Sequence, residues 1–74
     1  MKSMHKIVVE YFGEEVPLFV GCEDQAVQLT IAIQNCGYQA LYVGFHPATK
    51  RTPEQDQIVA RLIDEAFNDH NSFV

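Results

Sequence analysis

The sequence predicts an α+β domain in the order ββαβα, with a three-stranded antiparallel sheet ordered 2-1-3 and two helices. Three observations carry that prediction. Two short β-branched runs flank a glycine turn near the start, two later segments repeat apolar residues at helical spacing, and a third alternating run lies between those segments. At 74 residues and 8.4 kDa the chain is expected to be one domain, residues 1–74, with 1–5 and 70–74 frayed. Surface scaling at this mass buries a little over ~60 % of the extended chain's surface, enough for one core.

The first strand is expected over Lys6 to Phe12, with Ile7, Val9 and Tyr11 on one face and Val8, Glu10 and Phe12 on the other. Gly13-Glu14 offers a two-residue hairpin turn. Val16 to Val20 returns as a second strand, and Pro17, which has no N–H to donate, places it at a sheet edge. Glu23 and Asp24 supply acids where a helix N-terminus favours them. From Gln25 to Cys36, residues Ala26, Leu29, Ala32, Ile33 and Cys36 form one stripe at 100° per residue. Gly37 ends this helix, and Tyr38 stands where the capping motif places an apolar contact. Val27 and Ile31 form a second apolar strip on nearly the opposite side. It is either covered by the second helix or open to a partner.

Gln39 to His46 reads as the third strand, with Leu41, Val43 and Phe45 facing one way and Ala40, Tyr42 and Gly44 the other. Pro47 stops it. Thr52-Pro53-Glu54-Gln55 combines an N-cap Thr, Pro at the first helical position and Gln two further on. Ile58, Val59, Leu62, Ile63, Ala66 and Phe67 then give a broad buried stripe, leaving Asp56, Arg61, Asp64, Glu65 and Asp69 to water. A helical crossover returns the third strand beside the first, so the first strand is central. Both sheet edges are left open, and open edges invite a partner strand.

Ten acids against five bases give a net charge of −5, which argues against a nucleic-acid binder and against attraction to an anionic membrane. No apolar run approaches membrane-span length, and no signal-peptide core follows the first residues, so a cytoplasmic protein is expected. Cys22 and Cys36 read as reduced, partly buried thiols.

Catalytic and metal-binding constellations are not expected, nor is a cofactor. His5, His46 and His70 fall on different elements without metal spacing, and a pairing of His46 with Cys22 or Cys36 is not required by anything in the sequence. There is no phosphate loop, nucleophile elbow or Cys-x-x-Cys. Lys50-Arg51 is the only basic pair in the chain and reads as a solvated loop. Tyr11, Phe12, Tyr42 and Phe45 lack the interleaved basic residues of a base-stacking platform. The candidate partner-binding residues are the acids Glu54, Asp56, Asp64, Glu65 and Asp69, suited to a basic protein surface, together with Val27 and Ile31.

The stretch Glu15-Val16-Pro17-Leu18-Phe19, followed by an acid-led helix and a strand ending Phe45-His46-Pro47, resembles the coliphage inhibitors of bacterial RNA polymerase. Small anti-CRISPR proteins share the ββαβ order. In the polymerase inhibitors the last strand carries binding arginines; Gly44 and His46 occupy those positions here, so that activity is not carried over. The second helix has no counterpart in that family. The resemblance implies a protein of the host-takeover or anti-defence kind. Together these readings give a small acidic protein-binding module, an inhibitor or modulator of a host nucleic-acid-handling or defence complex. The first alternative is a homodimeric adaptor joined through a sheet edge or the Val27/Ile31 strip; a further one, against which the charge argues, is nucleic-acid binding through Lys50-Arg51 and the tyrosines.

Overall fold

A computed structural model describes residues 2–68 of the chain. It contains β1 (Ser3–Tyr11), β2 (Glu14–Val20), α1 (Glu23–Asn35), β3 (Gln39–Pro47) and α2 (Pro53–Asn68). The sheet is antiparallel throughout in the order β2-β1-β3. This is the ββαβα α+β arrangement expected. β1 is longer at its start than expected: Ser3 pairs with Pro47, Met4 with His46, and His5 with both Val20 and Phe45.

Both helices lie on one face of the sheet. α1 packs mainly against β3 and α2, and α2 mainly against α1 and then β2. The core between them joins Ile7, Val9, Val16, Leu18 and Ala40 of the sheet to Ala26, Leu29 and Ile33 of α1 and Val59, Leu62 and Ala66 of α2. Thr30 is also buried, and its hydroxyl donates to the Ala26 carbonyl at 2.7 Å, so no polar atom is orphaned there.

The helix ends follow the chemistry of their residues. At the end of α1, Gly37 has φ +98°, its N–H bonds to the Gln34 carbonyl, and the Tyr38 N–H reaches the Ile33 carbonyl. That double bond is the Schellman closure, which needs a residue tolerant of positive φ. At the start of α2 the Gln55 N–H donates to Thr52 Oγ1 at 3.2 Å, and Gln55 Oε1 accepts from the Thr52 N–H at 3.0 Å. This reciprocal capping box satisfies two otherwise unpaired donors.

Two local expectations are corrected. The hairpin turns at Phe12-Gly13, one residue earlier than Gly13-Glu14, and Tyr11 pairs with Glu14. Both turn residues have positive φ, +49° and +87°, as a type I′ turn requires. Sliding the strands by two residues keeps every side chain on its own face, so burial does not choose between the two registers. Second, β3 does not alternate as expected. Ile7 pairs with Tyr42 but Lys6 with Gly44, which leaves Val43 as a bulge residue followed by Gly44 at φ +98°. The extra residue reverses the phase: Ala40, Tyr42 and Phe45 share the helix side, while Leu41, Gly44 and His46 share the other.

Candidate functional site

The acids expected on one face of α2 do not form a single patch. At 100° per residue Glu54 and Glu65 lie together, Asp64 about a quarter-turn away, and Asp56 on the other side of the helix, with Arg61 between Glu65 and Asp64. Asp56 and Glu65 make hydrogen bonds within the chain. Asp56 Oδ1 accepts from Arg51 Nε at 2.9 Å, and Glu65 Oε2 accepts from the Tyr38 hydroxyl at 2.8 Å. That bond to a carboxylate, with loss of water second, pushes the Tyr38 phenol up to about 12. Asp69 lies outside the described residues, as does His70. Val27 and Ile31 are 41 % and 50 % exposed, so α2 does not cover them. Ile63 and Phe67, assigned to the buried stripe, are exposed as well. The buried arc of α2 is narrower than expected and centres on Val59, Leu62 and Ala66, and Ile63 and Phe67 fall on the flank turned away from Glu65.

The aromatic residues considered as a stacking platform are split into two clusters. Tyr11 and Phe12 meet Tyr38 beside the hairpin turn, whereas Tyr42 and Phe45 gather around His5, whose Nδ1 shares a 2.7 Å hydrogen bond with the Tyr42 hydroxyl. Cys22 precedes α1 and Cys36 follows it, and neither forms a disulfide. Among the described residues no three of His, Cys, Asp and Glu converge to hold a metal ion. No described helix is long and apolar enough to cross a membrane.

What the fold does assemble, among the described residues, is a sheet face that neither helix covers. Opposite Ile7 and Val9, β1 presents Met4, Lys6, Val8 and Glu10. Register adds Phe19 and Gly44 beside Lys6, Pro17 and Leu41 beside Val8, and Glu15 and Gln39 beside Glu10. Neither described helix packs there. Leu41 is 63 % exposed, and a Cβ placed on Gly44 would meet nothing. The middle row, Pro17-Val8-Leu41, is apolar across all three strands. A shallow concavity of about 500 Å³ runs from this row round the β3 edge, lined by Val8, Leu41, Glu10 and Glu15 on the sheet and by Gln34 and Tyr38 at the end of α1.

The edges of the sheet, expected to be open, are clipped by side chains. On β2, Pro17 has no N–H, and its carbonyl accepts from Arg51 Nη1 at 3.1 Å. Because Pro17 cannot exchange bonds with Val8, Val8 bonds towards β3, which turns the Ala40 carbonyl outward on the far edge. Gln34 Nε2 of α1 donates to that carbonyl at 2.8 Å, and His46 Nε2 donates to the Val43 carbonyl of the bulge at 3.0 Å. Pro17 and the bulge glycine are visible signals in the sequence. The three clips join residues 34, 6 and 3 positions apart, and local pattern does not reveal such pairings. Lys50-Arg51 is therefore not a free basic pair, since Arg51 is occupied by Pro17 and Asp56.

Compared with known proteins, the chain matches no family model, no curated protein and no solved structure.

Proposed function

We propose that the chain is a non-enzymatic protein-binding module that docks its partner on the uncovered face of the sheet. The observation that supports this is the continuous apolar row Pro17-Val8-Leu41, half-buried at Pro17 and Val8 and exposed at Leu41, on the sheet face that no described helix covers. Contiguous apolar surface of this kind is a mark of interaction sites. Clipped edges make face docking easier than strand addition. In its finer form the proposal follows the sequence reading: a cytoplasmic inhibitor or modulator that occupies a basic surface of a host nucleic-acid-handling or defence complex. The chain's net charge of −5 and the carboxylates of Glu10 and Glu15 beside the apolar row favour a basic partner.

The test is capture from nuclease-treated bacterial lysate with three tagged proteins: wild type, Leu41→Glu, and Asp64→Lys with Glu65→Lys. A stoichiometric partner retained by the α2 variant and lost by the folded Leu41→Glu variant supports docking on the sheet face. A partner lost only when Asp64 and Glu65 are reversed would move the site to α2. A partner indifferent to both changes would overturn the proposal.

A further inference from the structure

The uncovered face is ordered by charge along its strands. From one end to the other its rows read Phe19-Lys6-Gly44, then Pro17-Val8-Leu41, then Glu15-Glu10-Gln39. A basic row and an acidic row thus flank an apolar one. We infer that this face takes a second copy of the chain, packed sheet to sheet about a two-fold axis that crosses the strands at the Val8 row. The inference rests on the reading that the face docks protein, and adds a second copy of the chain as an occupant that competes with the partner.

Such an axis reverses strand direction, so the two outer rows exchange places. Lys6 of each copy then meets Glu10 of the other, with Glu15 alongside. Val8, Pro17 and Leu41 meet their own counterparts, the self-matching contact an isologous interface requires. Gly44, without a side chain, stands opposite Gln39 and leaves room for it. The other two-fold arrangement, with its axis along the strands, sets Lys6 against Lys6 and Glu10 against Glu10, and like charge disfavours it. Edge-to-edge pairing meets the Pro17–Arg51 clip on one side and the Gln34 and His46 bonds on the other. The helix acids lie on the far side of each sheet, so the strongly negative part of the chain stays out of the contact.

Three strands at ~4.8 Å spacing and the Met4-to-Glu10 length at ~3.3 Å per residue give a face of roughly 280 Å² in projection. That is below the size of a stable dimer, so association is expected only at high protein concentration and is selected by the charge pattern, not by area. Two copies face to face hide the same row that another protein would need, so self-association and partner binding exclude each other.

The experiment is sedimentation velocity on the full chain over a concentration series, with Lys6→Glu, Glu10→Lys and their equimolar mixture. In a Lys6→Glu dimer the introduced carboxylate of each copy would face Glu10 of the other. In a Glu10→Lys dimer the introduced ammonium would face Lys6. Each change turns two symmetric attractions into repulsions, and each single variant is expected to dimerise at least about tenfold more weakly. Mixing the two variants gives one contact between the native pair of charges and one between the exchanged pair, both attractive, and the heterodimer is expected to form. Circular dichroism confirms that each variant is folded. A wild type that stays monomeric throughout overturns the inference, as does a dimer that neither reversal weakens. A monomer that still captures a partner through Leu41 overturns self-association alone and leaves the docking reading standing.

Discussion

The two faces of one three-stranded sheet have opposite fates, although β1 supplies apolar residues to both. On the helix side Ile7 and Val9 are fully buried with Val16 and Leu18, and α1 and α2 close over them. On the other side Val8 sits between Pro17 and Leu41 with no described helix above it. Hydrophobicity of the strand does not decide which side is covered. What decides it is that both crossings, β2 to α1 to β3 and β3 to α2, stay on one side. Among the described residues there are two helices, and both lie in one layer against the sheet. One face therefore carries the core, and the other keeps Leu41 exposed.

The largest expected contrast comes from paired truncations. Ile7→Ala removes a fully buried side chain and should cost about 3–4 kcal/mol of unfolding free energy. Leu41→Ala, at low protein concentration, should stay within about 0.5 kcal/mol of wild type. Urea melts of both variants measure the difference, and equal losses would mean that Leu41 is part of a core.

Next is the bulge that sets which side chains of β3 reach each face. Gly44→Ala puts a Cβ at φ +98° in otherwise empty space, so its effect isolates backbone strain, expected at about 1–2 kcal/mol. No change in the melting midpoint would show that β3 can lose its bulge without penalty.

A smaller effect of opposite sign is expected at the turn. Phe12 holds φ +49° and is 84 % exposed, where Asn is the favoured residue before glycine in a type I′ turn. Phe12→Asn should stabilise the hairpin by about 0.5–1 kcal/mol, less whatever the Tyr11 and Tyr38 ring contacts contribute. Destabilisation would show that the aromatic cluster, and not the turn, governs this end.

The smallest is an alkaline effect confined to the helix side. Tyr38 holds its proton up to about 12 when folded, against 10.0 as the ordinary value, so the unfolded chain releases that proton first. The bond to Glu65 therefore adds stability fully below pH 10, and the gain fades as pH rises towards 12. Tyr38→Phe should flatten this part of the stability curve and remove the step near pH 12 from an absorbance titration of the folded protein.

Much of this architecture is legible from local pattern. The 2-1-3 order follows from Pro17 marking an edge and from β1 being apolar on both faces. The helix ends follow from Gly37 and from Thr52-Pro53-Glu54-Gln55. The phase of β3 escapes a local reading because alternation continues smoothly on paper through Val43. Only the mid-strand Gly44 hints that a residue is unpaired. The uncovered face is hidden for the same reason. Val8 and Leu41 look like core residues until it is known that no third helix arrives among the described residues. The acids of α2 are legible as exposed, but their scatter around the helix and the engagement of Asp56 and Glu65 depend on Arg51 and Tyr38, which are remote or on another element.

The edge clips also bear on how the chain reaches its fold safely. Arg51 comes from the segment before α2 and Gln34 from α1, so neither bond can form until its helix has docked. During synthesis β1, β2 and β3 leave the ribosome before α2 does. In that interval the β2 edge lacks its arginine, and the sheet lacks half the cover of its inner face. That interval is when the chain is most exposed to amyloid-like polymerisation. A fragment ending at Lys50 should bind thioflavin on standing under conditions in which the whole chain does not; equal behaviour of the two would show that Arg51 and α2 give no such protection.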